Sequence, residues 1–227
     1  TNAKASKAAT KTQSSQSTVG NATTNSACVI IPPLELWDAI QEIRSANDTS
    51  FDRWPPHINL LWPFIPQTQF SSSLTSLENS SRFRDIKPFP IRLSTFSYTR
   101  GSRYVHLIAD VVDPNTGAIM PWPPSIQKGK RSSPIQTTPL NELFLTLHEL
   151  FPGCERPHHD ADGNPSEYFL PHMSVGQVEQ TTIADTVASL QANWEPIEFL
   201  VTELVFLARE GPNKPFRQIQ TIPLNDT

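Results

Sequence analysis

One short pattern occurs twice in the chain, as PHINL at 56–60 and as PHMSV at 171–175. Each copy has a proline, a histidine, an apolar residue, a small polar residue and a second apolar residue. Each copy also follows a strand-helix pattern and precedes a helix and further strands. An imperfect internal duplication of this kind predicts two similar halves, with the two histidines in equivalent positions.

The elements around the first copy follow from hydrophobic spacing. The run ACVII at 27–31 is β-branched and ends in prolines, so it predicts a strand. Leu36, Ile40 and Ile43 recur at helical spacing and predict the first helix. A weaker, Ser-rich helix pattern covers 67–82. The alternating runs FPIRLSTFSYT and SRYVHLIADV predict a strand pair that turns near Arg100-Gly101.

The elements around the second copy repeat this order less regularly. The clearest helix in the chain is PLNELFLTLHELF at 139–151, whose leucines and phenylalanines form one stripe. After the second copy, apolar residues at helical spacing predict another helix over 183–194. The segments IEFLVTELVFLAR and FRQIQTIPL predict two final strands. A Pro-rich stretch with basic residues, at 112–138, predicts a long surface loop or insertion.

These elements predict an α+β, bilobal and pseudo-symmetric fold. We expect two antiparallel sheets with helices on their outer faces, and a central cleft that carries both histidine motifs. Residues 1–26 are mostly Ala, Ser, Thr, Lys, Asn and Gln, a composition that predicts a flexible low-complexity tail. Residues 27–227 then form a single bilobal domain, which we expect to be a monomer.

The charge balance limits the partners of this domain. The formal net charge is -4, and the first 26 residues hold three of the 18 basic residues and none of the 22 acidic ones. The remainder is therefore acidic, which argues against a protein that coats long DNA or RNA. It leaves room for a pocket that holds one nucleotide or an RNA terminus. No apolar run approaches the ~20 residues of a membrane span, so we expect no membrane association.

The two cysteines, Cys28 and Cys154, are far apart and form no Cys-x-x-Cys pair. Reduced, partly buried thiols are the favoured interpretation and a disulfide is the alternative. Reduced thiols predict an intracellular protein, cytoplasmic or nuclear.

The duplicated motif also predicts chemistry. Residues i and i+2 of a strand point to the same face, so His57 shares a face with Asn59, and His172 with Ser174. If the two strands are neighbours, two imidazoles, an amide and a hydroxyl converge. One imidazole can take a proton from an attacking hydroxyl while the other protonates a leaving oxygen, and Asn59 and Ser174 can hold the phosphate oxygens. The scheme uses neither a metal ion nor a cofactor. The alternative is that both histidines are ordinary strand residues.

PHIN and PHMS resemble the paired His-x-Thr/Ser signatures of the 2H phosphoesterase superfamily. This group includes the 2′-5′ RNA ligase-like proteins and the 2′,3′-cyclic nucleotide phosphodiesterases. The flanking segments VIIPP, LWDAIQEIR, FDRWPPHINLLWPF, YFLPHMSVGQ and FLVTELVFLARE are similar to a eukaryotic branch of it, and the resemblance covers about 27–223.

The resemblance implies a bilobal fold and metal-independent hydrolysis of 2′,3′-cyclic phosphates or 2′-5′ linkages. It implies that His57 and His172 are catalytic and that Ser174 binds the phosphate. Asn59 departs from the Thr or Ser of the signature, which puts the substrate and the efficiency in question. A non-catalytic module that recognises a nucleotide or an RNA end through the same residues is the alternative function.

Other residues are weaker candidates. Tyr98, Arg103, Tyr104 and Tyr168 are possible substrate-lining residues, although an ordinary hairpin with solvated arginines is the favoured interpretation of the first three. His106 is predicted to be a packed strand residue that could border the site.

Two further groups of residues give only weak evidence of a functional site. The cluster His158, His159, Asp160 and Asp162 predicts an exposed turn, and a metal-dependent hydrolase built on it is a third reading of the chain. Arg209 and Arg217 could reach a phosphate, but nothing nearby in sequence requires it.

Overall fold

The structure is a computed structural model, and it describes residues 22–120, 138–154, 158–159, 165–166 and 170–225. Its helices are α1 Trp37–Asn47, α2 Phe70–Asn79, α3 Ser81–Asp85, α4 Pro139–Leu150 and α5 Ile183–Ala192. Its strands are β1 Ser26–Ile30, β2 Ile58–Leu61, β3 Phe89–Tyr98, β4 Tyr104–Val111, β5 His158–His159, β6 Pro165–Ser166, β7 His172–Gln177, β8 Ile197–Val201, β9 Glu203–Ala208 and β10 Arg217–Pro223.

Eight of these strands form one antiparallel sheet in the order β10-β9-β1-β2-β7-β4-β3-β8. The α+β class is therefore confirmed, but the expected pair of separate sheets is replaced by a single sheet. The two four-stranded halves are joined because β2 pairs with β7 at Ile58 and Met173, the apolar residues that follow the two histidines. Residues 158–159 and 165–166 form a separate two-stranded ribbon.

The connection between β8 and β9 shows that the large sheet is curled. β8 is one edge of the sheet and β9 lies next to the other edge, yet only Thr202 separates them in sequence. Strands in a sheet lie about 4.8 Å apart, so the edges of a flat eight-stranded sheet are far beyond the reach of one residue. The segment 197–209 was predicted as one strand. It forms two strands instead, which lie at or next to opposite edges of the sheet.

The helices pack against one face of the sheet. The main core contains buried residues of β2 and β7, Ile58 and Met173, together with Ile40 of α1, Leu147 of α4 and Ile183 of α5. Apolar residues on α4 are buried as the sequence stripe predicts. The opposite face of the sheet carries a smaller buried cluster that includes no helix residue. We call it the motif face, because the side chains of both histidine motifs lie on it.

The N-terminal boundary differs from the composition-based prediction. Residues 1–21 lie outside the described residues, but 23–26 belong to the fold. Thr23 pairs with Phe64, and Ser26 is buried and donates from Oγ to the carbonyl of Ile65 at 2.6 Å. These residues join the fold through backbone hydrogen bonds and a hydroxyl group. Their polar composition therefore gave no sign that they are part of it.

The structure adds detail to the predictions for two other segments. The Ser-rich region 67–82 contains a 3₁₀ turn followed by α2 and α3, which are separated where the Ser80 hydroxyl accepts a hydrogen bond from the Phe83 N–H and caps α3. The predicted loop at 112–138 begins with a turn at 113–117, and its residues 121–137 lie outside the described structure.

Cys28 and Cys154 are both buried, and no disulfide joins them in the described structure. No helix among the described residues is both long and apolar enough to span a bilayer.

Helix α1 approaches strand β7 closely at Gly176. A Cβ atom at this position would lie 2.6 Å from the Cβ and 3.0 Å from the carbonyl oxygen of Asn47. We expect Gly176→Ala to lower the free energy of unfolding by about 1–3 kcal/mol, because backbone of α1 has to move. Urea unfolding measures this. Gly211→Ala is the matched control, since nothing lies within 4 Å of its added Cβ, and equal stability of both variants would contradict the expectation.

Candidate functional site

The register of β2 and β7 brings the two motifs together. Ile58 lies opposite Met173 in an antiparallel pair, so the next residues outward place His57 opposite Ser174 and Asn59 opposite His172. Ile58 and Met173 are buried in the main core, whereas the four polar residues are partly exposed. Alternation along a strand therefore puts all four side chains on the motif face as one compact group.

The two imidazoles are oriented in the same way. His57 Nδ1 lies 2.8 Å from the carbonyl oxygen of Pro55, and His172 Nδ1 lies 2.8 Å from that of Leu170. A carbonyl accepts only, so each Nδ1 carries the proton and each Nε2 is left as the basic nitrogen. In both copies of the motif the imidazole is held by the carbonyl two residues before it. The repeated sequence therefore forms the same local structure twice.

The polar partners of the histidines differ. Asn59 Nδ2 lies 3.0 Å from His57 Nε2 and donates to it. The Oδ1 of Asn59 is buried and accepts no hydrogen bond from the described part of the chain. Ser174 lies across from His106 of β4. The asparagine thus engages the basic nitrogen of its own histidine.

A tryptophan ring packs against the ring of His57. The Trp54 ring stacks on the His57 ring with centroids 4.5 Å apart and planes 12° apart. The backbone carbonyl of Trp54 accepts a hydrogen bond from Arg44 Nη2 at 2.9 Å. Arg44 itself is buried on α1 and forms an ion pair with Asp48 at 2.8 Å. A buried cation on a helix therefore fixes the loop that positions the His57 ring.

The apolar cluster on the motif face lies next to His57. Trp54 contacts Phe216 with ring centroids 3.7 Å apart and meets Trp62 edge-on at 5.6 Å. We call Trp54, Trp62 and Phe216 the aromatic patch. Val29 of β1 pairs with Asn59 and belongs to the same cluster. One side of the polar group is thus aromatic and apolar.

A third histidine lies on the other side of the group. His106 of β4 is opposite Ser174, and its ring centroid is 4.2 Å from that of His172. Its Nδ1 is buried and has no hydrogen-bond partner among the described residues. The sequence prediction of a packed strand residue holds, and the residue also borders His172.

Burial governs the charge of these rings. Burial is the main cause that lowers the pKa of His57 to about 4; the nearby Arg44 and His172 act in the same direction, while the bond to Pro55 and the charge of Asp48 oppose the shift. Burial and the charge of His172 lower the pKa of His106 to about 3. Burial also lowers the pKa of His172, against the opposing bond to Leu170. All three rings are therefore neutral at pH 7 in the free protein.

These shifts predict acid sensitivity. Unfolded histidines protonate near pH 6.5, whereas His57 and His106 resist protonation in the folded chain down to about pH 4 and 3. Below pH 6.5 the unfolded state binds more protons, so stability is lost as the pH falls from 6.5 toward 4. We expect a loss of a few kcal/mol, since one unit of pKa shift is worth about 1.4 kcal/mol. Urea unfolding at pH 7 and pH 4.5 measures it.

His106→Gln is the control for this acid sensitivity. It removes one of the titrating rings, so it should lose less stability than the wild type over the same pH range. Equal losses in the two proteins would contradict the assignment to these histidines.

The substrate-lining candidates are spread over several environments. Tyr104 is half-exposed, and its ring is parallel to that of His106 at 6.4 Å, which places it on the motif face. Tyr98 instead packs against the main core. Arg103 forms an exposed ion pair with Glu179 at 2.7 Å. Tyr168 lies outside the described residues.

No group of three or more potential metal ligands occurs among the described residues. For the cluster at 158–162, the structure describes only the backbone of His158 and His159, and Asp160 and Asp162 lie outside the described ranges. A cavity of about 460 Å³ lies between the ends of β1, β8 and β9, and none of the four motif residues lines it.

Two residues of the site escaped the sequence analysis. Trp54 stands in RWPPH, three positions before His57, and an aromatic residue close to a candidate catalytic histidine is a signal that can be looked for. Arg44 has a partner at i+4, Asp48. That spacing is equally common on exposed helix surfaces, so the sequence held no sign that the pair is buried.

The sequence profile described as the 2′-5′ RNA ligase superfamily matches residues 32–213. The chain belongs to this superfamily, and the resemblance to 2H phosphoesterases is confirmed. The narrower assignment to a eukaryotic branch stays a prediction. A search of curated proteins found no match.

Several solved structures are distantly similar. Apo LigT of E. coli is 17% identical, with 88% of this chain and 97% of that chain covered and a TM-score of 0.49. LigT complexed with phosphate is 17% identical, with coverages of 90% and 99% and a TM-score of 0.46. TT0787 of Thermus thermophilus is 16% identical, with coverages of 88% and 97% and a TM-score of 0.47.

Proposed function

We propose that the protein is a metal-independent phosphodiesterase that hydrolyses 2′,3′-cyclic phosphates or 2′-5′ linkages in nucleotides or at RNA ends. The family supports a phosphodiesterase-type activity. One observation carries the finer proposal: two imidazoles stand on adjacent paired strands, each held through Nδ1 by the carbonyl two residues before it. Both Nε2 atoms are thereby left for proton transfer around one phosphate.

The electrostatics favour a division of roles. In the free protein the Asn59 amide donates to His57 Nε2, so this nitrogen carries no proton and His57 is the ring in the form of a base. A bound phosphate anion raises the pKa of both rings. We assign His57 as the base and His172 as the acid in hydrolysis.

In this scheme a water molecule attacks phosphorus and His57 Nε2 takes its proton. The bond from phosphorus to the leaving ribose oxygen breaks, and His172 Nε2–H protonates that oxygen. A proton has then moved from one ring to the other, and exchange with solvent resets the pair.

The polar partners hold the charge of the phosphate. The Ser174 hydroxyl and the Asn59 amide N–H donate to the non-bridging oxygens, where negative charge accumulates. Asn59 donates to His57 Nε2 in the free protein. Its amide must therefore exchange this bond for one to the phosphate, which frees the lone pair of His57 when substrate binds.

The same bond supports a second candidate function. An asparagine that occupies the basic nitrogen of His57 suits a module that binds a nucleotide or RNA end without cleaving it. If the amide keeps this bond in the complex, His57 has no lone pair with which to accept a proton.

Hydrolysis in the presence of EDTA tests the proposal. The substrates are the four 2′,3′-cyclic nucleotides, an RNA that ends in a cyclic phosphate, and a dinucleotide with a 2′-5′ linkage. Turnover that persists in EDTA is expected for at least one of them. Binding without turnover would favour the recognition module, and turnover that EDTA abolishes would contradict the metal-independent scheme.

A further inference from the structure

The strands that carry the two histidine motifs are joined by very little backbone pairing. Among the described residues, β2 and β7 pair at a single position, Ile58 and Met173. By contrast, β7 and β4 stay paired from His172 to Gln177. His57 and His172 lie on opposite strands of this narrow junction. Backbone pairing alone therefore gives weak control over the relative position of the two rings.

Gln177, the last residue of β7, forms a second connection across this junction. Its Oε1 accepts hydrogen bonds from the backbone N–H of Thr49 at 2.8 Å and from the Thr49 hydroxyl at 2.6 Å. Its Nε2 donates to Oδ1 of Asp48 at 3.1 Å. Both partners belong to the turn at 48–54, which lies between α1 and the first motif. The side chain of Gln177 thus joins the strand of His172 to the segment that leads to His57.

The two partners of Gln177 require a side-chain amide. A backbone N–H can only donate a hydrogen bond and a carboxylate can only accept one. The oxygen of Gln177 meets the N–H of Thr49, and its nitrogen meets the carboxylate of Asp48. A glutamate would place a second carboxylate beside Asp48, and an apolar side chain would bond to neither partner.

The connection continues from Asp48 to the His57 ring. Oδ2 of Asp48 accepts from Arg44, and Nη2 of Arg44 donates to the carbonyl of Trp54. Trp54, a member of the aromatic patch, stacks on His57. The carbonyl of the next residue, Pro55, bonds to His57 Nδ1. A displacement of the turn at 48–54 therefore changes both the cover and the orientation of this ring.

The cover of the ring controls the charge of His57. The charged or titratable groups that face it are Arg44 and Asp48 at the end of α1 and His172 on β7. Burial has a larger effect than any of them and lowers the pKa of His57 from 6.5 to about 4. If Trp54 moves away, water reaches the ring and this pKa rises towards its ordinary value.

We propose that Gln177 is a positioning residue of the histidine pair. It fixes the turn at 48–54 on β7 and so sets the place of the His57 ring relative to His172. It acts through Trp54 and Pro55 and is assigned no contact with the phosphate. The inference rests on the proposed function only for its effect on turnover.

An NMR titration of the His57 ring between pH 7.5 and pH 5 tests this role without requiring turnover. In the wild type the ring signals should move little, because the ring protonates near pH 4. Gln177→Met keeps the length of the side chain and removes the amide. We expect it to raise the pKa of His57 by about one unit or more, so that the signals titrate within this range. An unchanged His57 pKa in the folded variant would overturn the proposal.

Gln191→Met is the matched control, because the amide of Gln191 also joins two elements, α5 and β3. It accepts from the Phe96 N–H at 2.8 Å and donates to the carbonyl of Ser94 at 3.0 Å. This variant should leave the pKa of His57 as it is in the wild type. An equal rise in both variants would overturn the proposal, since it would report a general loosening of the fold.

Thr49→Val is a milder variant at an exposed residue. It removes the hydroxyl that bonds to Gln177 and keeps the backbone N–H that bonds to the same oxygen. We expect a smaller rise of the His57 pKa in the same direction. If Gln177→Met does not fold, an unchanged His57 pKa in Thr49→Val overturns the proposal.

Steady-state hydrolysis separates this role from the proposed function. The kcat of Gln177→Met should fall roughly 10–100-fold with KM close to that of the wild type, because small displacements of a reacting group are costly to the rate. A raised KM with unchanged kcat would overturn the positioning role, since it would place Gln177 in substrate binding. If neither protein turns over any substrate of the panel, the proposed function fails, while the titration still decides the role of Gln177.

Discussion

Replacing either His57 or His172 by asparagine is expected to lower kcat by about 10²–10⁴-fold, the range that a positioned acid or base contributes. Asparagine can keep the donor that bonds to the carbonyl of Pro55 or Leu170, but it has no group at the position of Nε2. The loss therefore reports on proton transfer and not on the orientation of the strand. Steady-state hydrolysis of the best substrate from the panel measures it.

The control for this prediction is His148→Asn. His148 lies on α4 against Phe144, with ring centroids 4.1 Å apart, on the side of the sheet opposite the motif face. It should keep the wild-type kcat. Near-ultraviolet circular dichroism checks that the His57 and His172 variants stay folded, and full activity in either of them would contradict its assigned role.

Arg44→Met is expected to have the largest effect on stability, about 3–5 kcal/mol. Arg44 is buried and donates to Asp48, Gln41 and the carbonyl of Trp54. Its loss leaves the carboxylate of Asp48, which is only 4% exposed, without its counter-charge. Urea unfolding at pH 7 measures the change, and the loop that carries Trp54 should become less ordered.

Two further variants separate the buried charge from general packing. Arg44→Met combined with Asp48→Asn should cost less than Arg44→Met alone, because no uncompensated charge stays buried. Arg92→Met removes a partly exposed ion pair with Glu198 and should cost less than about 1 kcal/mol. An Arg44→Met variant as stable as Arg92→Met would contradict the role given to the buried pair.

Much of the fold could be predicted because its elements have regular hydrophobic spacing. The stripe on α4 and the turn at Gly101, which has a φ of 78°, are both local signals. The single sheet could not be predicted. It depends on one cross-strand pair, Ile58 and Met173, and pairing between strands distant in sequence leaves no local pattern. The break between β8 and β9 at Thr202 could not be predicted for the same reason, because the sequence on both sides of Thr202 has the pattern of a strand.

The sequence likewise predicted one part of the candidate site and not the other. The sequence repeat predicted which four polar side chains share a face, because that follows from alternation along each strand. It could not predict that the Asn59 amide would bond to His57 Nε2, since a side-chain rotamer decides that contact. It also could not predict that Tyr98 packs inward while Tyr104 lies on the motif face, because this depends on the pairing of Tyr98 with the buried Val105 across the hairpin.

In the proposed mechanism the two imidazoles act as one proton-transfer pair around a single phosphate. The most direct test is the kcat of His57→Asn, His172→Asn and the double variant on one substrate in EDTA. Residues that act as a unit give strongly non-additive losses, so the double variant should be about as slow as the slower single variant. A double variant slower by the product of the two single losses would contradict the paired mechanism.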